Sequence, residues 1–145
     1  MNEKQIPAQF RYQIFQPTGG VWMINDDHIV ELVLGPRVEE HRNVVAEAHW
    51  VKNLYTRLEM LDRTQAWNAV VSLHRQPAHP NPPLEMRAVF ASILKDPQTH
   101  RVGLVNFTGW QKRIIEIYIV TTGTKHKLSF FPTTNQARRW ILEVE

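Results

Sequence analysis

Cysteine is absent from all 145 residues, which excludes disulfides and thiolate zinc sites and fits an intracellular compartment. Long apolar runs are absent too. Nothing approaches the roughly 18 consecutive apolar residues of a membrane-spanning helix, and the opening MNEKQIPAQF lacks the apolar centre of a secretory signal. A cytoplasmic protein without membrane insertion is the expectation. Catalytic motifs are missing as well: there is no GxSxG elbow, P-loop or GxGxxG turn, and the seven histidines match neither HExxH nor a facial triad. The residues therefore assign no catalytic group, no metal site and no cofactor. Nor is there a dense basic stripe. The net charge is +3, with ten Lys and Arg against eleven Asp and Glu in residues 1–100 and seven against three in 101–145. That C-terminal excess is scattered over strand ends and helix faces, so nucleic acid is not an expected partner.

What is present suits one core. The 43% hydrophobic and 10% aromatic content is enough for a single domain of this length. We place it at 10–145, after a tail at 1–9. Residues 10–16 alternate as a strand, with turn chemistry in PTGG, and residues 21–24 and 28–34 are two further runs of strand character separated by NDD. These form an antiparallel N-terminal portion. From Val38 the period becomes helical, with Val44, Val45, Ala48, Val51, Leu54, Tyr55, Leu58 and Leu61 on one face. Glu47 and Glu59 are read with the charged residues of the opposite face.

The short apolar run WNAVVSL (67–73) is a strand, followed by HRQPAHPNPP, whose prolines forbid helix or ladder. Residues 84–94 are a second helix with Phe90, Ile93 and Leu94 inward. VGLVNF (102–107) is apolar on both faces, as a central parallel strand must be, and LSFF (128–131) is another strand, ended by Pro132. Thr133 is the N-cap of the last helix, Gln136 completes a capping box, and Ala137, Trp140, Ile141 and Val144 form its apolar stripe, with Arg138 and Arg139 facing away. Residues 109–122 admit two readings. Their isoleucines favour a strand and hence an antiparallel meander over 101–131. Parallel flanking strands would instead require a helical crossover, and the crossover is the reading we adopt. The fold class is then α/β: a mixed sheet with antiparallel N-terminal and parallel C-terminal strands, and helices packed on it. Of the five tryptophans we expect three or more to be largely buried.

The segments VELVLGPRV before the long helix, WNAVVSL before the proline-rich loop, LEMRAVFASILKDPQTHRVGLVNF and KLSFFPTTNQARRWI together resemble the STAS domain. The nearer branch is that of the sporulation anti-sigma-factor antagonists. The resemblance covers nearly the whole chain from about residue 10 and implies a regulatory or binding module, not an enzyme. The antagonists carry a phosphorylatable Ser or Thr at the start of the helix after the central strand; here no Ser or Thr lies between His74 and Phe90. The resemblance therefore does not transfer a phospho-switch.

In open α/β sheets ligands collect outside the carboxyl ends of the strands. By that rule the candidate ligand-binding residues are His74 and Arg75 after strand 67–73, and Asn106, Thr108 and Trp110 after strand 102–107, with Lys112 and Arg113 adding positive charge. The expected partner is another protein or a small anionic ligand. A homodimer is expected too, through helix packing or an exposed N-terminal edge. The alternative is a small cytoplasmic enzyme with an unrecognised site built from His74, His79 and nearby polar residues.

Overall fold

The computed structural model describes residues 6–25, 27–35, 41–73, 84–107, 112, 113, 115, 116 and 123–143. Its elements are α1 (Ala8–Arg11), β1 (Tyr12–Phe15), β2 (Gly20–Ile24), β3 (Ile29–Leu34), α2 (His41–Glu59), β4 (Trp67–Leu73), α3 (Leu84–Lys95), β5 (Thr99–Val105), β6 (Leu128–Phe131) and α4 (Thr134–Leu142). The six strands form one sheet in the order β1-β2-β3-β4-β5-β6. β1, β2 and β3 are antiparallel, whereas β3 to β6 are parallel. The molecule is an α/β mixed sheet with helices packed on it.

Parallel pairing of β5 with β6 excludes the antiparallel meander. Lys112, Arg113, Ile115 and Glu116 are helical, as a crossover requires; the rest of 109–122 lies outside the described residues. Ile6 is buried in the core and Phe10 belongs to the single turn of α1, so ordered packing begins ahead of the boundary drawn at residue 10.

The parallel strands are covered on both faces. On one face Phe10, Trp22, Leu32, Leu54, Leu58 and Trp67 form the larger core, with Phe90 and Ile93 of α3 packed against it. On the other Ile29, Val70 and Val105 meet Ala137 and Ile141 of α4. Each such aliphatic or aromatic side chain contributes about 1.5–3 kcal/mol on burial. α4 does not extend over the hairpin, where Tyr12 and Ile14 of the edge strand β1 are 56% and 44% exposed. Trp22 and Trp67 are buried, Trp50 and Trp140 only half-buried, and Trp110 lies outside the described residues. Among the described residues two of the expected three or more buried tryptophans are therefore fully buried.

α4 begins as its residues dictate. Thr133 Oγ1 accepts from the Gln136 amide and donates to Gln136 Oε1, both at 3.2 Å. Thr133→Ala should cost about 1 kcal/mol, read as a lower urea midpoint at unchanged slope. Arg138 departs from its expected solvent-facing role. It donates to Glu31 Oε2 at 2.6 Å and to Asp27, fastening α4 to β3 and to the turn before it. Arg101 lies 4.7 Å over the Trp140 ring and donates to its carbonyl at 3.1 Å, fastening α4 to β5.

Candidate functional site

The carboxyl ends of β4 and β5 are neighbours, Ser72 standing opposite Val105, and Leu34 of β3 stands opposite Leu73. β5 leaves the sheet through Asn106, which is exposed and takes a left-handed φ of 69°. Asn is one of the few residues besides glycine that adopt this conformation readily. Beyond it Lys112 and Arg113 are exposed on the connection to β6, and Lys112 Nζ sits 5.3 Å over the Phe130 ring. These three candidates therefore share one β5-to-β6 connection, two of them cationic. His74, Arg75, Thr108 and Trp110 lie outside the described residues, as does His79. Strand order follows chain order without reversal, so the described strands form no switch-point crevice of the doubly wound kind.

The carboxyl end of β3 carries a polar cluster that the sequence reading missed. Thr18, in the turn between β1 and β2, and Glu47, in the second turn of α2, are fully buried. Thr18 Oγ1 donates to Glu47 Oε2 at 2.5 Å, the Gly35 amide donates to the same oxygen at 2.9 Å, and the Gly20 amide donates to Thr18 Oγ1 at 3.2 Å. Both glycines are required by the close approach. A Cβ at Gly20 would lie 2.5 Å from Glu47 Oε2, and one at Gly35 would lie 2.2 Å from the Thr18 carbonyl oxygen. This cluster joins the hairpin, the end of β3 and α2.

A second missed cluster stands at the amino ends of the parallel strands. Tyr55 and Glu59 lie one turn apart on α2, and both are buried. The Tyr55 hydroxyl bonds Thr99 Oγ1, which itself donates to the Ile93 carbonyl at 2.6 Å. Burial raises the Tyr55 phenol above its ordinary range. Burial, and after it the neighbouring Asp96 carboxyl, pushes Glu59 up to about 7. Spacing could have found both acidic residues, since Glu47 lies three residues after Val44 and Glu59 four after Tyr55, on the apolar stripe itself.

Among the described residues no group of three or more His, Asp or Glu side chains could hold a metal ion, and no described helix is long and apolar enough to cross a membrane. Comparison with family models, curated proteins and solved structures returns no match.

Proposed function

We propose that the chain is a non-catalytic, STAS-like regulatory or binding module that recognises a small anionic ligand or a protein partner at the carboxyl ends of β4 and β5. The observation that carries this reading is the grouping of Asn106, Lys112 and Arg113 on the single connection leaving β5. Two exposed cations beside strand ends raise the local concentration of anions and orient them by charge-assisted hydrogen bonds. Inorganic phosphate is a suitable probe. In NMR titrations it should move the amides of Asn106, Lys112 and Arg113, and Lys112→Ala with Arg113→Ala should weaken the apparent affinity at least about tenfold. Unchanged binding in that double variant would place the site elsewhere.

The proposal includes a homodimer through β1. Among the described strands it is an edge of the sheet, bearing exposed Tyr12 and Ile14, the kind of strand that pairs with its own copy when nothing covers it. Light scattering at micromolar concentration should return twice 17.0 kDa, and a monomer mass would exclude the dimer.

A further inference from the structure

Trp22, Ile24, Val30 and Leu32 turn to one face of the sheet and are buried. The registers Tyr12↔Met23, Ile14↔Val21 and Val21↔Val33 gather Tyr12, Ile14, Val21, Met23 and Val33 on the other. An antiparallel sheet with one face in water alternates apolar inside with polar outside. Here the outward row is uncharged as well, Tyr12 and Ile14 being exposed and Val21, Met23 and Val33 half-buried. Glu31, also outward, marks the border with α4, where Arg138 holds it together with Asp27.

α4 covers Ile29, Val70 and Val105 and leaves this half of the face open. Leu142, one turn after Arg138 and so on the same flank of α4, is 60% exposed. That flank lines a cleft of about 410 Å³ together with Asn135 and Arg139. The apolar strand residues and the side of α4 thus form the floor and wall of a trough.

The chain itself supplies no cover. Of the segments outside the described residues, 1–5 (MNEKQ), 36–40 (PRVEE) and 74–83 (HRQPAHPNPP) are polar or proline-rich and contain no helical apolar stripe. The β5-to-β6 connection serves the opposite face: Phe131 meets Trp140 of α4, so Phe130 points away from α4, and Lys112 sits over Phe130. A second copy does not fit either. Three strands and about five residues span roughly 14 by 16 Å, or about 230 Å², against about 800 Å² per partner in a stable interface. The outer side of α4 carries exposed Asn135, Gln136, Arg139 and Glu143, so a copy has no apolar stripe there to lay in the trough. Pairing of β1 with its copy extends the sheet in its own plane and leaves this face open.

We propose that the trough docks an amphipathic helix of a partner protein, about three turns long, with its apolar stripe on Tyr12, Ile14, Val21, Met23 and Val33. The dimensions carry this choice of occupant. A helix is about 10–12 Å across and packs about 8–10 Å from a neighbouring helix, and about 11 residues fill 16 Å. Charge agrees: Asp27 and Glu31 are both held by Arg138, so the floor offers no charge and takes an uncharged stripe. The surface is separate from the carboxyl ends of β4 and β5.

The test displays a library of helical peptides of about 14 residues, apolar at i, i+3, i+4 and i+7 and varied elsewhere, against the full chain. Selected peptides should gain helicity on binding by circular dichroism and shift the methyl resonances of Ile14, Val21, Met23 and Val33. They should bind the double variant Val21→Lys, Met23→Lys at least about tenfold more weakly. Should that variant fail to fold, Ile14→Lys, at an exposed position, takes its place. A library without binders, binders that shift other residues, or binders that stay extended would overturn the proposal. So would a free chain whose Ile14 and Val33 methyls are shielded from a soluble spin label and whose mass halves in the double variant, since the occupant would then be a second copy.

Discussion

Replacing Glu47 by alanine should destabilise the protein by about 3–5 kcal/mol, a large part of the roughly 5–15 kcal/mol that holds a domain folded. The loss is concentrated because two buried donors, Thr18 Oγ1 and the Gly35 amide, converge on one oxygen of that side chain. Alanine leaves both without this acceptor in a space closed to water, and a buried polar group without a partner carries its full desolvation cost. Glu47→Gln keeps an acceptor at the same place and should lose less than about 2 kcal/mol. Chemical denaturation of the two variants beside the wild type separates the outcomes. Equal losses for alanine and glutamine would mean that the acceptor position is not what stabilises the turn, β3 and α2.

Trp22→Ala should cost about as much, roughly 3–5 kcal/mol, by a different route. Trp22 is 1% exposed in the middle of β2 and belongs to the larger core. Its indole Nε1 donates to the Phe10 carbonyl at 2.7 Å, tying α1 to the sheet. Truncation opens a cavity under α1 and removes the donor for a buried carbonyl. Trp22→Phe retains most of the volume and isolates the hydrogen bond, worth about 1 kcal/mol. Thermal unfolding of both variants measures the two contributions. A phenylalanine variant as unstable as the alanine variant would show that the indole bond, not the packing, dominates.

The parts of the fold that could be read from sequence are those whose determinants are local. WNAVVSL and LSFF form strands at their expected limits because each is a short apolar run closed by polar or proline residues. Thr133 caps α4 because its partner is three residues away. The helical character of residues 112, 113, 115 and 116 followed from topology, through the demand that parallel β5 and β6 place on their connection.

Glu47 and Glu59 escaped because charge was taken as a guide to the outer face, although the helical period places both on the inner one. Their burial depends on residues distant in sequence: Thr18 lies 29 residues before Glu47, and Asp96, whose carboxyl helps to raise Glu59, lies beyond β4 and α3. No window of local sequence contains such a pair. At the carboxyl end of β5 the sequence placed Asn106, Lys112 and Arg113 on one connection, although the strand runs over Thr99–Val105 and so begins and ends earlier than the apolar run 102–107 implied. Arg138 was misjudged for the same reason as the glutamates, its acidic partners Asp27 and Glu31 lying 111 and 107 residues away.

Those separations bear on how the chain folds. Every strand pairs with the one made just before it, so each addition closes a loop no longer than one crossover, and the entropy of closure stays small at every step. α4 departs from this pattern, reaching back through Arg138 to β3. During synthesis the sheet can therefore grow strand by strand from the amino terminus, while Ile29, Val70 and Val105, the strand residues that α4 covers, face water until the last helix emerges. The interval between completion of β6 and release of residues 134–142 is when the nascent chain is most prone to self-association.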